Sequence, residues 1–91
     1  MSKQQIDNLS MEDLAHDLHI LSLSLKHRPF NDDDFKDTKK FLTSVLSNQW
    51  IREKQELTRQ LKLARNSCRL KKQDALKRHL ILALGYIRNE F

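Results

Sequence analysis

The 91-residue sequence carries one glycine, one proline, one cysteine and a net charge of +5, from 17 Lys/Arg against 12 Asp/Glu. Strands joined by turns need Gly, Pro and Asn at regular spacing, which this sequence does not supply. Leu, Lys, Gln, Glu, Arg and Ala, all good helix formers, fill much of it instead, so an all-α fold is expected. Cys68 alone excludes an internal disulfide and speaks for a reducing compartment, and Gly85 alone excludes a glycine-rich phosphate loop.

No apolar run approaches the roughly 20 residues that a membrane span needs. The opening Met1-Ser2-Lys3-Gln4-Gln5 has no apolar h-region, so a cytoplasmic location is expected. The charge is uneven. Residues 1–46 hold six basic and eight acidic residues, a net −2; residues 47–91 hold eleven and four, a net +7. A basic half points to a polyanionic partner such as nucleic acid, an acidic protein or a membrane surface.

Residues 1–9 read as a polar segment, and residues 10–91 as one helical domain. The first helix is expected over 10–27. Ser10 is placed to cap it, Asp13 sits at the capping-box position, and Leu9 and Leu14 form a hydrophobic staple. Met11, Leu14, Leu18, Leu21 and Leu25 recur at steps of three and four, which makes one apolar stripe. Ile20 and Leu23 fall off it and hint at a second contact surface. Pro29 ends the helix by pushing Arg28 out of the α region.

The second helix is expected over 31–46. Asn31 is its N-cap, Phe30 and Phe35 make a second staple, and Asp32, Asp33 and Asp34 fill the first turn, where the helix dipole favours anions. Phe35, Thr38, Leu42 and Val45, joined by Phe41 and Leu46, form its inward face. Ser47-Asn48 either breaks the chain or lets the helix run on.

A third helix is expected over 48–88, either continuous or interrupted near 66–74. Trp50, Leu57, Leu61, Ala64 and Cys68 keep a heptad-like order with Lys54 at a polar gap. Leu76, Leu80, Ala83 and Ile87 repeat the steps one position out of phase, the signature of a stutter, a kink or a change of packing partner. Unbroken from Asn48 to Leu84 it would reach roughly 55 Å at 1.5 Å per residue, longer than the other helices can cover, so it either bends back on itself near Asn66-Ser67 or pairs with a second copy, and pairing is the expectation. Trp50 is assigned to the core junction between helices 2 and 3. The apolar run Leu80–Phe91 exceeds one helix face and is expected to be buried on several sides.

With Leu57, Leu61, Ala64 and Cys68 facing inward, Arg59, Lys62, Arg65, Arg69 and Lys72 fall on one flank. Arg52, Lys71, Lys77 and Arg78 extend the positive region. Lys62, Arg65 and Arg69 have no Asp or Glu three or four residues away, so the stripe does not neutralise itself. A solvated face that keeps a small protein soluble is the plain alternative. The run Ala64–Lys72 is similar in composition to the basic region of basic leucine-zipper proteins. Asn66 stands only two residues before Cys68, a spacing that family does not use, so none of its roles is carried over.

Other chemistry is sparse. His16 and His19 sit three apart on the first helix, short of the three or four ligands that zinc needs, with Glu12 and Asp13 nearby. Cys68 on the apolar stripe reads as a small buried hydrophobe. No nucleophile–base or paired-carboxylate arrangement is visible, and no metal, cofactor or small-molecule substrate is expected. The sequence thus describes a small three-helix domain (four if the last helix breaks) with a long C-terminal helix, expected to be a homodimer. The function expected is non-catalytic, regulatory or accessory binding of nucleic acid, DNA or RNA, through Arg59, Lys62, Arg65, Arg69 and Lys72. The alternative is a protein-interaction module or inhibitor docking on an acidic partner, with Leu63 and Leu70 as apolar anchors.

Overall fold

A computed structural model of the chain describes residues 10–89, and every described element is helical. The helices are α1 (Met11–His27), α2 (Asp32–Leu46), the single turn α3 (Gln49–Arg52), α4 (Gln55–Arg69) and α5 (Gln73–Arg88). The first two follow local chemistry closely. Asp13 N–H donates to Ser10 Oγ at 3.0 Å, and Arg28 before Pro29 is extended at φ −153° and ψ 152°. Asn31 and Asp34 complete a reciprocal capping box, and the Phe30 and Phe35 rings meet edge-to-face at 5.7 Å as the staple requires. The Leu9–Leu14 staple lies outside the described residues.

The segment 48–88 is not one helix: it divides into α3, α4 and α5, with one break inside the 66–74 range of the interrupted alternative. The break from α2 falls at Ser47-Asn48, where the buried Asn48 side-chain amide donates to the Ser44 and Val45 carbonyls, and a second falls at Glu53-Lys54. The third, at Leu70–Lys72, reverses the chain. There Lys71 N–H donates to Cys68 O and Lys72 N–H to Ser67 O, with Lys71 in the left-handed region at φ 58°. This is a Schellman motif with lysine where glycine is usual. Gly85, by contrast, lies buried inside α5, and the helix ends instead at Asn89, left-handed at φ 54°.

With the chain folded back, α5 packs against both α1 and α4, and α4 also packs against α2. The longest dimension is 35 Å, well short of the roughly 55 Å an unbroken helix would span. The protruding helix on which pairing with a second copy was reasoned is therefore replaced by an internal hairpin, and the apolar stripes of α4 and α5 meet each other. Leu57, Leu61, Ala64 and Cys68 of α4 join Leu76, Leu80, Ala83, Leu84 and Ile87 of α5 in one core with Leu14, Leu18, Leu25, Phe35, Leu42 and Val45. Met11, expected in that stripe, is exposed, because it lies in the first turn of α1. Ile51, not Trp50, fills the junction between α2 and α4. Trp50 is half-buried and packs on the outside of the core. Of the apolar C-terminal run, Ile81 stays exposed, and Phe91 lies outside the described residues.

The link between α1 and α2 is held by a residue far away in sequence. Gln73, the first residue of α5, donates through Nε2 to Leu25 O at 2.9 Å and Arg28 O at 2.8 Å, and its Oε1 accepts from Phe30 N–H at 2.8 Å. Around it Arg28 grips Asp34 through two nitrogens at 2.7 and 3.3 Å and lies 5.0 Å from the centre of the Phe30 ring. The hydrogen bond from Arg28, then that from the Asn31 N–H, holds the Asp34 carboxyl below its usual range. Lys71 reaches Asp32 at 3.0 Å, tying the α4–α5 turn to the same corner.

Candidate nucleic-acid interface

The candidate surface is the outer side of α4. Its inner side is fixed by Leu57, Gln60, Leu61, Ala64, Ser67 and Cys68, all buried against α2 and α5. At 3.6 residues per turn the opposite side must present Arg59, Lys62, Leu63, Asn66 and Arg69, and all five are exposed. Arg65 lies on the shoulder of the helix and is half-buried, so it offers its guanidinium from the edge.

Four of the five expected contact residues therefore belong to α4. The fifth, Lys72, does not continue the line, because the chain has already turned. It is exposed and caps α5 through its backbone at φ −100° and ψ 95°. Arg52 moves the other way. The bend at Glu53-Lys54 swings α3 against the start of α4, and Thr58 Oγ locks the bend by donating to Ile51 O at 2.6 Å. Arg52 thus forms one bank of a shallow hollow of about 490 Å³, whose other bank holds Arg59 and Lys62 and whose lining includes Thr58, Leu63 and Asn66. Periodicity alone put Arg52 off the stripe. Only the bend, for which the Ser47-Asn48 break was a partial signal, brings it in.

The electrostatics are open. Among the described residues, Lys62, Arg65, Arg69 and Lys72 form no ion pair, and Arg59 has only a 3.5 Å contact with Glu56 in which both side chains are largely exposed. Such a contact contributes little. Arg69 is steadied by two hydrogen bonds to Asn66 Oδ1, at 3.2 and 2.8 Å, which leave its remaining N–H groups facing outward. No carboxylate lines the hollow.

The other candidates separate from this surface. Cys68 is 3% exposed, and burial pushes its thiol up to about 11 against a smaller opposing pull from Lys39. It is a packed side chain in the core. His16 and His19 are exposed on α1, and among the described residues no three His, Cys, Asp or Glu side chains gather as a metal set would. His79 bridges α5 to α4, with Nδ1 2.9 Å from the buried Gln60 Oε1. Burial, and then Arg78, lowers the pKa of His79. No described helix is long and apolar enough to cross a membrane. Comparison with protein-family models, with curated proteins and with solved structures finds no match.

Proposed function

We propose that this chain is a non-catalytic nucleic-acid-binding protein in a regulatory or accessory role, gripping phosphates with the outer side of α4. The observation that carries the reading is the set Lys62, Arg65 and Arg69, cations of α4 without a carboxylate partner among the described residues, beside Arg59 on its outer side and shoulder, with the exposed and likewise unpaired Lys72 in the turn beyond. Like charges at helical spacing repel one another, and a polyanion relieves that repulsion while releasing its own counterions. Arg52 extends the row across the hollow. Gln55 and Asn66 stand among the cations where base edges would pass, yet Asn66 is already engaged by Arg69, so phosphate contact rather than base readout is the main source of affinity.

The test is a salt titration of binding to labelled double-stranded DNA and to structured RNA. Four to five phosphate contacts correspond to a log–log slope of about −4 on B-DNA, and each lost contact lowers it by about one. Arg65→Glu with Arg69→Glu should abolish measurable binding, and the better probe names the nucleic acid. Equal binding by wild type and the double variant would make the stripe a solubility face. A second reading, docking on an acidic protein, draws on the exposure of Leu63 and Leu70 beside these cations. Under it, Leu63→Ala with Leu70→Ala weakens the protein partner and leaves nucleic-acid affinity nearly intact.

A further inference from the structure

The bundle is open on one side. Helices α1 and α2 follow each other in the chain, yet each packs mainly elsewhere, α1 on α5 and α2 on α4. Between them runs a groove of about 470 Å³, floored by Ile20, Leu21, Thr38 and Phe41, with His16 at its edge and Asp17 and Asp37 on its rims. Ile20 is 47% exposed, although it is flanked by half-buried apolar neighbours. No lysine or arginine lines the groove, and neither rim aspartate forms an ion pair among the described residues.

The same chain carries the complementary surface. Leu63 on α4 is 38% exposed, and Leu70, the residue that caps the end of α4, is 46% exposed. Seven residues apart, they stand two turns from each other on one side of the helix. Arg59, Lys62 and Arg69 flank them, and no carboxylate lines the adjoining hollow. An apolar row edged with cations thus faces outward on one part of the molecule, and an apolar trough edged with anions on another. The uneven charge of the two halves, −2 over residues 1–46 and +7 over residues 47–91, is the same asymmetry seen in the sequence.

We infer that the α1–α2 groove receives α4 of a second copy of this chain, with Leu63 and Leu70 over Ile20 and Phe41 and the basic flanks against Asp17 and Asp37. Each contact joins one groove to one α4, so a pair held by a single such heterologous contact keeps one groove and one α4 row free. Association therefore runs head to tail and does not stop at two copies. It weakens with salt, since Asp37 and the three cations are solvent-exposed and screened and Asp17 is only half-buried. The inference does not rest on the nucleic-acid reading. Where both hold, one α4 serves either a phosphate backbone or a neighbouring groove at a time.

The test is sedimentation of the full chain over a concentration series without nucleic acid, at low salt and at about 0.5 M salt. The wild type should pass from the single-chain 10.8 kDa beyond twice that mass as concentration rises, and less so at high salt. Ile20→Glu spoils only the groove and Leu63→Glu only the ridge. Both positions are exposed, and far-ultraviolet circular dichroism checks that each variant stays helical. Each alone should associate at least tenfold more weakly, whereas their equimolar mixture should regain a 1:1 pair that grows no further, because one intact groove meets one intact ridge. A wild type that stays at one chain throughout would overturn the inference, as would a closed dimer indifferent to Ile20→Glu or a mixture no heavier than its parts. A monomer whose groove binds a Leu/Lys amphipathic peptide would hand the groove to another protein and equally overturn the self-contact. Ile20→Glu should leave DNA and RNA titrations unchanged, so a failure here and a failure of the nucleic-acid reading are told apart.

Discussion

Gln73 concentrates more long-range hydrogen bonding than any other described side chain, and its replacement is the sharpest test of how this fold is held. Its amide joins the last carbonyls of α1 and the start of the α1–α2 link to the first turn of α5, across 43 to 48 residues of sequence. Gln73→Ala removes three neutral hydrogen bonds. At about 0.5–1.5 kcal/mol each, discounted because the Arg28 carbonyl is exposed and regains water, the loss should be about 1–3 kcal/mol. For a domain of this size that lowers the thermal midpoint by roughly 4–8 °C per kcal/mol. Gln73→Glu separates the amide from mere helix-start preference. A carboxylate in the first turn gains up to about 1 kcal/mol from the helix dipole. It cannot donate, however, and would face two carbonyl oxygens now at 2.8–2.9 Å. Glu should therefore be no better than Ala near neutral pH. Its carboxylate is disfavoured in the folded state, so its folded pKa lies above the unfolded value of about 4.3, and part of the deficit should return as the pH falls through that range. Urea unfolding of the three proteins across pH is the assay. If Glu matches or exceeds the wild type at neutral pH, or if Ala costs under about 0.5 kcal/mol, the clamp is not what secures the link.

The left-handed Lys71 gives a second test: Lys71→Gly should stabilise by about 0.5–1 kcal/mol and Lys71→Val destabilise, since only glycine adopts φ near 58° without cost, and equal denaturation midpoints would count against the Schellman turn. Cys68, buried and with its thiol pushed up to about 11, should react with a disulfide reagent at about pH 8 only as fast as the chain opens, and denaturant should accelerate labelling steeply; fast labelling of the native chain would place it at the surface. His79 has a folded pKa below its unfolded one, so neutral His79 contributes stability above about pH 6.5 that is lost as the pH falls through the lower folded value. The midpoint should drop from about pH 7.5 to about pH 5, and His79→Gln, which retains an amide donor for Gln60, should flatten that drop. Asn31→Ala removes the capping box of α2 and should cost about 1 kcal/mol by urea unfolding.

The sequence revealed those features whose causes are local. Ser10, Pro29, Asn31 and the Phe30–Phe35 pair act within a few residues of themselves, so their roles could be read without knowing what lay across the core. The inner sides of α4 and α5 were legible for a related reason: Leu57, Leu61, Ala64 and Cys68, and then Leu76, Leu80, Ala83 and Ile87, each repeat with the helix period, and one side being in fixes the other side as out. That is why Arg59, Lys62 and Arg69 could be named from spacing and are found exposed on the outer side of α4.

What escaped was decided elsewhere in the chain. The reversal at Leu70–Lys72 has no glycine or proline to announce it. A lysine takes the left-handed position, and its only trace was the one-residue slip between the two apolar sets. A helix stop of that kind is legible only once the two stripes it separates are known to pack on each other, which is a tertiary fact. Gln73 carried no signal at all, because a glutamine in a first turn is ordinary until two carbonyls from 45 and 48 residues earlier arrive beside it. Lys72 left the stripe and Arg52 joined the hollow because turns, not periodicity, set their positions. The acidic groove is further removed still, since it exists only because α1 and α2 each found a better neighbour than the other. Charge and spacing can therefore nominate the cations of such a surface, while the shape that would let them act on one partner rather than another depends on backbone reversals that side-chain chemistry does not mark.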